Sequence, residues 1–175
     1  VDSTILTVWK NHKSEVEKLD PSSQKLKEIY DKYQIDFKLE DQPELTGKTR
    51  LIVQDHGEGM DLEDIKRMLI AGGSSKNLEK NRIIREMPDW FRPSGHFGIG
   101  LQSIYLISKS FTVYTRSRKT HESFKLEFRS ESSNSLIITK LPTDQEPYGA
   151  RFEITVELEK FPSRMNLHAS VRKDD

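Results

Sequence analysis

Seven of the nine glycines in this 175-residue chain fall between Gly57 and Gly100. They form three groups, Gly57 with Gly59, Gly72 with Gly73, and Gly95 with Gly98 and Gly100. Glycine reaches positive φ and lets a ligand approach the backbone with no side chain in the way. GHFGIGL, from Gly95 to Leu101, runs into an apolar stretch of helical character. Its N–H groups would lie unpaired at a helix N-terminus, where phosphate is favoured. Asp55 closes an apolar run just before Gly57 and Gly59. A carboxylate there can accept a hydrogen bond from an exocyclic amine while the glycines admit a flat ring. Taken alone, the same Asp reads as a turn residue. With the later glycines it suits a base-binding end and a phosphate-binding end, separated by one helix and one mobile segment.

Other sites are excluded by spacing. Neither GGSSK nor GHFGIGL supplies the G-x-x-x-x-G-K followed by Ser or Thr of a Walker A loop. A dinucleotide G-x-G-x-x-G should follow the first strand of a parallel unit, whereas here the spacing is reversed. His12, His56, His96, His121 and His168 make no H-E-x-x-H or other metal spacing. Around Asp55 and Asp61 the EF-hand pattern fails, with Met60 where calcium needs oxygen.

The elements that position these residues follow from hydrophobic periodicity. Ile5, Val8, Trp9, Val16 and Leu19 predict a helix from Val1 to about Leu19. A second helix, with Asp20 as N-cap and Pro21 at its first position, carries Leu26, Ile29, Tyr30 and Tyr33. Two strands follow, one through Ile35, Phe37 and Leu39 and one through Leu51, Ile52 and Val53. Leu62, Ile65, Met68 and Leu69 give a short helix, and Gly72 to Gly95 reads as a long aperiodic connection. Ile99 to Ile107 suits a buried helix. Alternation then predicts strands at Phe111 and Val113, Phe124 to Phe128, Leu136 and Ile138, and Phe152 to Leu158. Helices early and strands late imply an α+β fold with helices on one face of a mixed, largely antiparallel sheet.

Composition bounds the function. Twenty-eight basic and 28 acidic residues cancel, which argues against a dedicated nucleic-acid binder or a polybasic membrane-surface protein. With 34% hydrophobic and 32% charged residues, the chain reads as one folded domain with a modest core and a charged surface. The absence of cysteine removes disulfides, thiolate metal sites and cysteine nucleophiles, and fits a cytoplasmic protein. No apolar run reaches the length of a membrane span.

Taken in order, these motifs resemble the boxes of the GHKL ATPase superfamily, which groups gyrase-type topoisomerases, the 90-kDa heat-shock chaperones, histidine kinases and mismatch-repair ATPases. DHGEGM resembles its D-x-G-x-G-M box, GHFGIGLQS its phosphate-wrapping glycine box, and GARFEITV from Gly149 its third box. IAGGSSK looks like the lid entrance of the 90-kDa heat-shock chaperones, to which the resemblance is closest; histidine kinases carry a G-x-G-L-G-L form instead. The resemblance implies a Bergerat-fold α/β sandwich that binds ATP with Mg2+. Its nucleotide contacts would be Asp55, Gly57, Gly59, Met60, Ser75, Lys76, Gly95, His96, Phe97, Gly98, Ile99, Gly100, Leu101 and Ala150. Ala150 stands where the third box usually has Thr.

The family's first box, E-x-x-x-N-A-x-D-A, supplies a general-base Glu and a magnesium-binding Asn. Val1-Asp2-Ser3 resembles its end, so the Glu and Asn are expected upstream of Val1. This implies an N-terminally truncated ATP-binding domain over residues 1–161, a lid at about 72–95, and a tail or linker over 162–175. Three functions stay open: a chaperone-like ATPase with attached domains, client proteins or a homodimeric partner; a sensor that binds ATP without turnover; and a kinase-type phosphotransfer domain. Should the fragment itself hydrolyse ATP, Glu58 is the first candidate base.

Overall fold

A computed structural model describes residues 2–41, 48–68, 78–93, 103–129, 135–143 and 145–157. Four helices run over α1 (Asp2–Val16), α2 (Gln24–Tyr30), α3 (Leu62–Met68) and α4 (Leu78–Glu86). Six strands, β1 (Asp36–Asp41), β2 (Lys48–Asp55), β3 (Ser110–Arg116), β4 (Ser123–Arg129), β5 (Ser135–Leu141) and β6 (Gly149–Glu157), form one sheet. Their order is β1-β2-β6-β3-β4-β5, so the last described strand lies inside the sheet. All five pairings are antiparallel.

Alternation decides which face is covered. Phe111 and Val113 of β3, Leu126 and Phe128 of β4, and Ile154 and Val156 of β6 point to one side with Ile65 of α3, and Leu51, Met60 and Met68 pack around them. The opposite face is polar: Arg50, Thr112, Glu127 and Glu153 alternate with the apolar set, and Arg151 lies 4.1 Å from the Tyr114 ring centre. This is the helix-on-one-face α+β arrangement that the segment order implies.

A second apolar cluster joins the helices. Trp9, Val8 and Val16 of α1 pack with Leu26 and Ile29 of α2 and with Met87 and Phe91 beyond α4. α1 bends at His12, whose φ and ψ are −130° and 19°. There Asn11 donates to the Tyr33 hydroxyl (3.0 Å), which lies 3.3 Å from His12 Nε2, and His12 Nδ1 lies 3.3 Å from Glu15.

Two local expectations change. The N-cap of α2 is Ser23, whose Oγ accepts from Leu26 N at 3.2 Å, and not Asp20. Asp20 instead closes the preceding turn, its carbonyl taking Ser23 N and its carboxylate taking Ser22 N. Proline at the second position of that turn explains the delay of the helix. Within the stretch read as aperiodic, α4 forms, and Arg92 ends it by donating to the carbonyls of Ile84, Arg85 and Met87. Of the helix expected over 99–107, residues 99–102 lie outside the described ones; Ser103 is helical and a 3-10 turn follows at Ile104–Leu106, with Leu106 exposed. Ile104 packs on the sheet cluster, and the Tyr105 ring meets Phe111 of that cluster edge-on at 5.3 Å.

Candidate functional site

Asp55 is the last residue of β2 and faces Ala150 across the ladder, while Thr115 of β3 faces Ala150 from the other side. The three form one row on the apolar face, at the end of the sheet. One carboxylate oxygen of Asp55, Oδ1, accepts from Gly57 N at 2.9 Å and from Ala150 N at 3.3 Å. Among the described residues nothing engages Oδ2. The carboxylate is therefore aimed by backbone donors through one oxygen, and the other is left to receive an outside donor.

The glycines around it admit protein as well. A Cβ on Gly149, at φ +113°, would overlap the Asp55 carbonyl oxygen. One on Gly59, at φ +65°, would overlap the Arg116 carbonyl. Gly57 is buried against Ser3 of α1, whose Oγ accepts from Glu58 N at 3.0 Å. The first turn of α1 is thereby docked on the loop that follows Asp55.

Glu58 is turned toward α1. Lys10 Nζ lies 2.7 Å from its Oε2, and Thr7 Oγ1 is within hydrogen-bond distance of both Glu58 Oε1 (3.2 Å) and Ser3 O (2.9 Å). Its carboxylate ties helix to loop. His56 faces Asp36 at 2.9 Å instead of the Asp55 side.

Thr115 occupies the row beside Ala150, yet its hydroxyl does not replace the missing threonine. It accepts from Met60 N and donates to Gly149 O, both at 2.9 Å, and is 1% exposed. Both functions of the hydroxyl are spent on backbone. A buried polar residue in the alternating run Phe111, Val113, Thr115 is the sequence signal that marks it.

The rest of the loop is held by residues that motif reading passes over. Arg118 donates Nε to Gly57 O (3.0 Å) and Nη2 to His56 O (3.2 Å), and its own N–H donates to Glu58 O (2.9 Å). Lys119 lies 3.3 Å from the buried Asp61. Asp61 caps α3 by accepting Asp64 N at 2.9 Å, and Asp64 accepts Asp61 N in return. Burial raises the Asp61 carboxyl, but the Asp64 N–H and Lys119 outweigh it and hold the group below the ordinary aspartate value. Burial and then the Asp61 charge push Asp64 up. A charged Asp61 beside a more easily protonated Asp64 keeps Lys119 on the loop.

The structure thus brings together Asp55, Gly57, Gly59, Met60 and Ala150 of the expected nucleotide contacts. Ser75, Lys76, Gly95, His96, Phe97, Gly98, Ile99, Gly100 and Leu101 lie outside the described residues, as do the whole of the lid entrance IAGGSSK and the 162–175 tail. No group of three metal-ligating side chains occurs among the described residues. No described helix is long and apolar enough to cross a membrane.

A sequence profile of the family described as histidine kinase-, DNA gyrase B- and HSP90-like ATPases matches residues 31–154. Among curated proteins the chain is similar to the Chaperone protein HtpG of Ehrlichia ruminantium, 29% identical over 117 residues, which are 65% of this chain and 18% of that protein. It is also similar to the HtpG of Alkaliphilus metalliredigens, 27% identical over 148 residues (71% and 23%), and of Chlorobium phaeobacteroides, 23% over 125 (70% and 20%). The chain spans about a fifth of the length of these relatives. The profile covers β1 to β6, from before Asp55 to beyond Ala150, and with the Asp55 row at the end of an antiparallel sheet it identifies the chain as a member of the histidine kinase-, DNA gyrase B- and HSP90-like ATPases, the GHKL superfamily.

Proposed function

We propose that this domain binds ATP, with the adenine amine donating to Asp55 Oδ2, in a chaperone-like GHKL ATPase. The observation that carries the reading is the aimed carboxylate: Oδ1 is held by two backbone N–H groups and Oδ2 faces no described partner. Gly57, Gly59, Met60 and Ala150 complete the base-binding end, and Ser75, Lys76 and the Gly95–Leu101 loop are assigned to the phosphates. The relatives' name, Chaperone protein HtpG, supports client proteins, and their greater length supports attached domains; a homodimeric partner and a cytoplasmic setting belong to the same proposal on the family resemblance alone.

Asp55→Asn is the direct test. The two backbone donors keep the amide oxygen at the Oδ1 position, which places the –NH2 where Oδ2 was, donor against donor. Isothermal titration with ADP and ATP should show affinity falling roughly 10- to 100-fold, the scale of a lost charged hydrogen bond, with the melting temperature little changed. Unchanged affinity would remove Asp55 from the site.

Mg2+ is expected with the nucleotide, where phosphate and water supply most of its ligands; the described residues hold no group of three metal-ligating side chains. A second reading, an ATP sensor without turnover, is favoured for residues 1–175 by Glu58, whose carboxylate is committed to Lys10 and Thr7. Residues 1–175 alone should show no ATP hydrolysis above the uncatalysed rate in a phosphate-release assay, and Glu58→Gln should not alter that. Robust turnover abolished by Glu58→Gln would make Glu58 the base.

A further inference from the structure

The β3–β4 turn is built to hold the loop after Asp55, and we infer that Arg118 at its start is a positioning residue for adenine recognition. The inference rests on the nucleotide reading above and extends it to a residue outside the motif boxes. Three successive carbonyls, of His56, Gly57 and Glu58, are all taken by Arg118, two by the guanidinium and one by the backbone N–H. A planar guanidinium can span neighbouring carbonyls in fixed geometry, which an ammonium cannot.

The guanidinium is itself oriented. Tyr148 lies beneath it, 5.0 Å from ring centre to Arg118 Cζ, with Arg116 over the same ring at 4.3 Å. The Tyr148 hydroxyl is 2.8 Å from Nδ1 of His121, the single described non-glycine residue at positive φ (60°). The turn is closed by Ser117 N to Glu122 O and His121 N to Ser117 O. Arg118 therefore reaches the loop from a rigid support and not from a free side chain. Gly57 N, whose carbonyl Arg118 holds, is one of the two donors that aim Asp55 Oδ1. Releasing the carbonyls frees that N–H to swing and lets the carboxylate rotate away from the incoming amine.

The consequence is specific to the adenine amine. Inosine nucleotides carry an oxo group in place of that amine and gain nothing from an aimed Asp55. Titration of ADP and of IDP into wild type, Arg118→Ala and Arg118→Lys separates the roles. Arg118→Ala should weaken ADP roughly tenfold, the scale of two lost hydrogen bonds, and leave IDP within about twofold. Arg118→Lys should behave like Arg118→Ala, since its charge is kept and its fork is lost. Amide exchange at Gly57, Glu58 and Met60 should quicken in both variants without nucleotide. Equal loss for ADP and IDP, no loss for ADP, or full rescue by lysine would each overturn the role. If wild type binds neither nucleotide or does not prefer ADP, the nucleotide reading fails. Unchanged loop exchange in the variants would sink the clamp by itself.

Discussion

Gly59→Ala is expected to remove about 4 kcal/mol or more of folding stability, beyond the range of most single substitutions. Gly59 sits at φ +65°, where a Cβ costs about 1–2 kcal/mol on its own, and here the Cβ would also overlap the carbonyl of Arg116 and press on that of Gly149. Both obstacles are backbone, in β3 and β6, so no side chain can swing aside. Relief requires lifting the loop off the sheet, which would break Met60 N to Thr115 Oγ1 and Arg118 N to Glu58 O. Urea unfolding measures the loss directly. A total stability of 5–15 kcal/mol makes such a loss a large part of the whole. A shift below about 1 kcal/mol, the level of an ordinary Gly-to-Ala change, would mean that the loop relaxes without cost and that the packing at Gly59 is not restrictive.

Phe91→Ala should cost about 3–5 kcal/mol, the usual range for a buried phenylalanine. Phe91 is 2% exposed and has three aromatic neighbours: Tyr30 stacked at 6.0 Å, Trp90 edge-on at 5.4 Å and Trp9 tilted at 5.8 Å. It joins the chain beyond α4 to α1 and α2, so the damage should start in the helices. Hydrogen exchange should quicken over α1, α2 and α4 ahead of β3 and β4, whose cluster Phe91 does not touch. Equal acceleration in the sheet would show that the two clusters unfold as one. Phe91→Leu, which keeps most of the apolar volume, should lose less than half as much.

The sheet was legible because its strands alternate. Phe111 with Val113, Phe124 with Leu126 and Phe128, and Phe152 with Ile154 and Val156 each repeat at a period of two, and all but Phe152, which is partly buried, lie in the core. The start of α2 was harder, since Asp20, Ser22 and Ser23 all offer a capping oxygen and only the turn geometry selects Ser23. α4 is hard to read from sequence because Ile83, Ile84 and Met87, which do have helical spacing, are surrounded by charges and supported by a residue as distant as Trp9. Of the site, Asp55 and its glycines were legible as a motif. Thr115 and Arg118 were not, because they act through backbone groups 55 to 62 positions away, nor was Lys119, whose partner is the distant Asp61 carboxylate, and no local pattern encodes such partners.

β6 is the last described strand to be synthesised, yet it lies between β2 and β3. Until β6 is made, no ladder joins β1–β2 to β3–β4–β5. The closing partners are far apart in the chain, about a hundred residues between Asp55 and Ala150, a separation that places folding toward the slow end for a domain of this size. Ala150 N is also the second donor to the Asp55 carboxylate. The Asp55 carboxylate therefore gains its second backbone donor only as β6 closes the sheet, so the site row and the sheet are completed by the same strand.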